Sequence, residues 1–265
     1  MYTTISADGT PIVYDRAGQG PAVIFVLGAT ATRGLAAQQG DADDDTPFTA
    51  YVYDRRGRGD SGDTPPYAVE REIEDLEAMI DAAGGSAFVF GHSSGAVLAL
   101  RAAGQLGDKI KKVALYEPPF IIDDSRPPIP ADYVAHLREL SAAGRKEDAL
   151  IYFMTVAVGI PAEYIDGMKH APFWASSVKV AHTISYDGEI MGETMYGNPA
   201  TLEPFASITT PTLVMVGGNS PAYQQNAVAT LAKILPNAQY RSMAGQDHGI
   251  APEVLNPALA AFFLG

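Results

Sequence analysis

The chain has 265 residues, 47% apolar and 18% charged, which suits a soluble globular protein long enough for one α/β domain with an insertion. Its 18 basic and 31 acidic side chains leave a net charge of −13, which argues against a nucleic-acid or anionic-membrane surface. The absence of cysteine excludes disulfides and thiolate metal sites, and the start Met1–Gly9 lacks the basic and apolar parts of a signal peptide, so a cytoplasmic protein that needs no metal or cofactor is expected.

The first strands are Tyr2–Ser6 and Ile12–Arg16, joined by an Asp8-Gly9 turn. Ala22–Leu27 is wholly apolar, as a central strand should be, and ends at Gly28. An acidic loop, Gly40–Thr46, leads into the strand Phe48–Tyr53. Val69, Ile73, Leu76 and Ile80 recur at helical spacing within a helix from Ala68 to Ala83, stopped by Gly84-Gly85. The strand Ala87–Phe90 precedes Gly91-His92-Ser93-Ser94-Gly95, and a small-residue helix then runs to Gly107. Lys111–Tyr116 is a strand halted by Glu117-Pro118-Pro119.

From Phe120 to Ser207 helical periodicity dominates, over Ala131–Ala143, Glu147–Val158 and Phe173–Met195. The apolar run Leu150–Ile160 is too short to span a bilayer. Strand and helix then alternate again as Thr212–Val216, Gln225–Leu235, Gln239–Met243 and Pro252–Phe263. The pattern predicts a mostly parallel sheet built from residues 1–119 and 208–265, with residues 120–207 inserted as a helical cap.

Gly91–Gly95 is G-x-S-x-G between a strand and a helix, the setting of a nucleophile elbow. The turn strains its middle residue and presents the Ser93 hydroxyl beside a helix N-terminus. A serine needs a base. Of five histidines, His92 lies within the elbow, pointing away from its tip, and His136, His170 and His182 lie in the cap. His248 alone follows the last strand, where strand ends converge on one crevice.

The base needs an acid. The usual loop, after Thr212–Val216, reads Gly217-Gly218-Asn219-Ser220 and contains none. Asp247 adjoins His248 too closely to reach round its ring. Glu117, at the end of a buried strand and locked by two prolines, is the assigned acid, with Asp123, Asp124 or a cap carboxylate as alternatives. The oxyanion donors expected are the backbone N–H groups of Ser94 and Ala29. Thr30 and His92 complete the near side of the candidate pocket. Tyr152, Phe153, Met154, Trp174, Met191 and Met195 supply its apolar part.

Through Gly91–Gly95, through Tyr53-Asp54-Arg55-Arg56-Gly57-Arg58-Gly59-Asp60-Ser61-Gly62 after a strand, and through the late His248, the chain resembles the α/β-hydrolases over essentially its whole length. The resemblance implies an eight-stranded, mostly parallel sheet flanked by helices. In that family the segment Asp54–Ser61 shapes a loop, and it is read as structural here. Most members carry the acid after the later strand. A minority carry it after the strand that follows the elbow helix. Haloalkane dehalogenases among them use an aspartate nucleophile, which Ser93 excludes. Gly91–Gly95 and Tyr116-Glu117-Pro118 are similar to zearalenone-type lactonases, in which Trp174 would have a substrate-touching counterpart.

The expected activity is cofactor-independent cleavage of a small carboxylic ester or lactone. The same residues would also serve thioester hydrolysis, C–C cleavage or acyl transfer. The readings from other classes are a non-catalytic ligand binder and a cap that makes a homodimer.

Overall fold

The computed structural model describes residues 1–34, 36 and 46–265, so the acidic loop expected over Gly40–Thr46 lies outside the described residues except for Thr46. Eight strands form one sheet in the order β1-β2-β4-β3-β5-β6-β7-β8. They are β1 (Tyr2–Ile5), β2 (Pro11–Ala17), β3 (Ala22–Val26), β4 (Thr49–Tyr53), β5 (Ala87–His92), β6 (Ile110–Tyr116), β7 (Thr212–Gly217) and β8 (Ala238–Met243). β1 pairs with β2 and β2 with β4 antiparallel, and every later pairing is parallel. The sheet is thus mostly parallel and eight-stranded, as the sequence implies.

The alternation of side chains along β3 splits the core into two layers. Ile24 and Val26 face a layer shared with α1 (Val69–Ala82) and α2 (Ser94–Leu106). Val23, Phe25 and Leu27 face the other layer, where Leu255, Leu259 and Phe262 of the C-terminal helix Pro252–Leu264 pack. Val23, Ile24, Phe25 and Val26 are all fully buried. Each such side chain contributes about 1.5–3 kcal/mol relative to exposure, which is why a short strand without a polar residue sits at the centre.

The segment between β6 and β7 is helical, in shorter pieces than the sequence suggests. Its α-helices are α3 (Tyr133–Ala142), α4 (Lys146–Tyr152), α5 (Ile165–Met168), α6 (Trp174–Val180) and α7 (Ile184–Met191). The helix expected over Glu147–Val158 changes at Phe153 into a π-helical turn, Phe153–Val158, where Thr155 Oγ1 donates back to the Ile151 carbonyl at 2.9 Å. The helix expected over Phe173–Met195 breaks at Ala181–Thr183, where Thr183 Oγ1 donates to Val180 O at 2.8 Å, and again at Gly192, whose φ is 53°. A 3₁₀ stretch, Pro199–Ser207, was not expected. The chain then returns through β7, α8 (Ala222–Ile234), β8 and α9 (Pro252–Leu264). No helix among the described residues is long and apolar enough to cross a membrane.

The loop after β4 has the structural role expected of it. Asp54 accepts from Arg33 N at 2.8 Å, from Arg33 Nε at 2.9 Å and from Asp60 N at 3.0 Å. Ser61 Oγ donates to Asp54 O at 2.6 Å and accepts from Val13 N at 2.9 Å. The turn at the end of β5 is equally constrained. A Cβ at Gly91 would lie 2.6 Å from both Ala96 Cα and Gly95 O, and one at Gly95 would overlap the Val26 carbonyl. Gly91→Ala should therefore lower stability by about 2–3 kcal/mol, read as a drop in the denaturation midpoint at unchanged slope.

Candidate active site

Ser93 sits at the junction of β5 and α2 with φ 56° and ψ −127°, a conformation an L-residue adopts only under constraint. Its N–H donates to Tyr116 O at 2.9 Å, and its carbonyl accepts from Ala96 N at 2.9 Å. The loop after β3 passes close by: a Cβ at Gly28 would stand 3.0 Å from Ser93 Cβ. A glycine there lets Ala29 reach the serine turn. Ser93, Ser94, Ala29 and His248 all line one cavity of about 300 Å³.

Glu117 directly follows β6, with φ 50°, and is fully buried. Its Oε1 accepts from Gly217 N at 2.7 Å and from Ser220 Oγ, and its Oε2 lies 2.7 Å from His248 Nδ1. Burial pushes its pKa up, but the hydrogen bonds from His248, Ser220 and Gly217 outweigh that and hold it below the ordinary carboxylate value. Two of the other carboxylates weighed from the sequence are engaged elsewhere. Asp247 Oδ1 accepts from Gly249 N at 2.9 Å within its own turn. Asp123 accepts from Ser125 N at 3.0 Å and from Asn226 Nδ2 at 2.8 Å.

With Nδ1 turned to Glu117, His248 keeps Nε2 for other work. The ring is braced by His92, whose centroid lies 4.7 Å away and whose Nε2 is 2.9 Å from the His248 carbonyl. Burial, reinforced by the neighbouring His248, pushes the His92 pKa down to about 4, so neutral His92 donates its Nε2 proton to that carbonyl. The Gln224 amide is 3.0 Å from His248 Nδ1. If Nδ1–H points to Glu117, the compatible end of that amide is its oxygen.

The apolar wall of the cavity includes Ile121, Ile129, Phe153, Met191 and Met195. Phe153, Met191 and Met195, named as pocket candidates from the sequence, line this cavity. The other candidates, Tyr152, Trp174, His92, Thr30 and Met154, do not line it. Tyr152 turns away to stack on Tyr133 at 5.5 Å and meet His136 edge-on at 4.7 Å. Trp174 is buried within the helical segment and donates Nε1 to Glu147 at 2.9 Å. His92 lies behind His248, against a separate recess with Phe90 and Leu255. Thr30, at φ 60°, and Met154, in the apolar core, do not line the cavity. The π turn explains the split between neighbours, since it puts Phe153, Ala157 and Val158 on the wall.

The sequence reading missed Asp187, Arg126, Tyr223 and Gln224, all of which line the cavity. Asp187 Oδ1 accepts from Ser94 Oγ at 2.7 Å and Arg55 Nη1 at 2.8 Å, and its Oδ2 accepts from Arg58 Nη2 at 2.7 Å. Burial alone would raise its pKa, but Arg58, Arg55 and the Ser94 hydroxyl bring it below the ordinary value. Arg55 also grips Glu72 through two 2.7 Å contacts, and Arg56 grips Asp75 likewise. The one signal in the sequence was Arg55-Arg56-Gly57-Arg58 itself, because buried arginines must find carboxylates.

A constrained serine at a strand–helix turn and a histidine held by a buried carboxylate line one cavity, an arrangement that fits a hydrolase of the α/β type. The model of the alpha/beta hydrolase family matches residues 23–259, and the chain belongs to that family. It is similar to the solved structure of an alpha/beta hydrolase from Sphaerobacter thermophilus, with 51% identity, TM-score 0.90, and 99% of this chain and 100% of that one covered. It is also 26% identical to N-formylmaleamate deformylase of Pseudomonas putida strain KT2440, over 97% of this chain and 93% of that protein. The enol-lactonase of Burkholderia xenovorans LB400 shares the fold, at 21% identity and TM-score 0.73, with both chains fully covered.

Removing one member of the buried ion cluster strands the others. Asp187→Ala should lower stability by about 3–5 kcal/mol, measured by urea denaturation. A second expectation concerns His92. As pH falls from its ordinary 6.5 towards about 4, the unfolded chain takes up a proton there that the folded protein refuses, so stability declines across that window. His92→Gln should flatten this part of the thermal-denaturation profile against pH.

Proposed function

We propose that the protein is a serine hydrolase that cleaves a carboxylic ester or lactone through an acyl-enzyme, without a cofactor. The observation that carries this reading is the 2.7 Å contact between Glu117 Oε2 and His248 Nδ1 beside the cavity that Ser93 lines. Ser93 Oγ attacks the acyl carbon while His248 Nε2 takes its proton. Glu117 holds the Nδ1 proton and stabilises the imidazolium. The backbone N–H groups of Ala29 and Ser94 receive the negative charge of the tetrahedral intermediate. His248 then returns the proton to the departing oxygen. In the second half-reaction it draws a proton from water, whose oxygen attacks the acyl carbon and frees Ser93.

In this reading residues 120–207 cap a core of residues 1–119 and 208–265, and the cavity between them admits a small molecule. The names of the relatives support acyl chemistry, as a deformylase and an enol-lactonase. The deformylase gives specific support to a second reading, removal of an N-formyl group by the same steps with nitrogen as the leaving atom.

Ser93→Ala should abolish turnover of activated short-chain esters and lactones, and retained turnover would sink the proposal. Glu117→Gln should lower kcat by roughly 10³–10⁴-fold, since removing the acid's charge upsets the histidine tautomer, while Asp247→Asn should change it little. Steady-state kinetics on one ester settles both, and the reverse ranking would move the acid to Asp247.

A further inference from the structure

Arg126 carries the cavity's unanswered charge. Besides two tyrosines, three ionisable side chains border the space beside Ser93: His248, Asp187 and Arg126. His248 faces Glu117, and Asp187 is neutralised by Arg55 and Arg58. Arg126 has no carboxylate within ion-pair distance among the described residues, and nearby Asp123 binds Ser125 and Asn226.

Its guanidinium is nevertheless held in place. Nη1 donates to Ala157 O at 2.9 Å and Nη2 to Val156 O at 3.1 Å, at the end of the π turn. The group lies 4.8 Å from the centroid of the Tyr223 ring. Two of the five N–H donors of a guanidinium are thereby used and three remain. A partly buried cation on an apolar wall, oriented on two sides and without a counter-ion, is built to receive an anion.

We propose that Arg126 is a substrate-recognition group and that the substrate carries a single carboxylate remote from the bond that Ser93 attacks. The planar fork matches a carboxylate in geometry and in charge. One positive charge in a cavity of about 300 Å³ answers one negative charge. A phosphate dianion would leave charge uncompensated in a protein whose net charge is already −13. The inference rests on the ester-hydrolase reading for the reaction, though the anion site itself does not.

Two measurements separate the two. In the first, 4-nitrophenyl hydrogen esters of succinate, glutarate and adipate are compared with neutral 4-nitrophenyl esters of equal length. The wild-type protein should favour the best carboxylate ester by at least tenfold in kcat/KM, through KM. Arg126→Met should cut that ratio at least tenfold, and Arg126→Lys should retain part of it. A wild-type protein without the preference, or a ratio unchanged in Arg126→Met, overturns the inference.

In the second, calorimetry follows free glutarate binding to Ser93→Ala protein. Binding that disappears when Arg126→Met is added supports the anion site, even if every ester proves inert and the hydrolase reading falls. Inert esters together with no glutarate binding overturn both.

Discussion

The cavity depends on one buried carboxylate. Asp187, on α7 between β6 and β7, is bound by Arg55 and Arg58 from the loop after β4 and by Ser94 at the start of α2. The same two arginines reach the backbone at the end of β3, Arg58 to Gly28 O at 2.7 Å and Arg55 to Leu27 O at 3.2 Å. A single network thus ties four separate stretches of chain around the serine turn. Charges removed from water are tolerated only when each finds a partner, so the pieces of this site form together.

Strain and charge are distributed in a consistent way around that network. Among the described residues, the non-glycine residues at positive φ are Thr30, Ser93 and Glu117, which lie in the segments that follow the parallel strands β3, β5 and β6. At Ser93 and Glu117 the deviation turns the chain where a side chain must face the cavity or His248. The sheet supplies the rigidity that keeps them so. The deeply packed strands β3, β5 and β6 hold their neighbours on both edges, leaving the terminal residues little freedom to relax.

Much of this was legible in the sequence, for identifiable reasons. Central strands declare themselves because burial on both faces demands unbroken apolar runs, as in Ala22–Leu27. The elbow shows because glycine is the residue that fits at Gly91 and Gly95. Glu117 could be picked out because a carboxylate at the end of a buried strand needs a partner, and His248 lies within hydrogen-bond reach of it. The pocket wall was less legible. Tyr152 and Phe153 are adjacent aromatic residues, and a widened helical turn, set by tertiary contacts, decided which one faces the cavity. Asp187 was hidden because its partners, Arg55 and Arg58, are more than 100 residues away in sequence. Charge pairing at that range leaves no local periodicity to read.

The position of Glu117 also says something about the loop opposite it. Gly217 N and the Ser220 hydroxyl both reach Glu117 Oε1, so the loop after β7 touches the very carboxylate that holds His248. That loop and the end of β6 are two seats for one negative charge beside a single imidazole. Filling both would set two carboxylates side by side, and one would have to stay protonated. In this chain β6 holds the charge and β7 offers neutral donors to it.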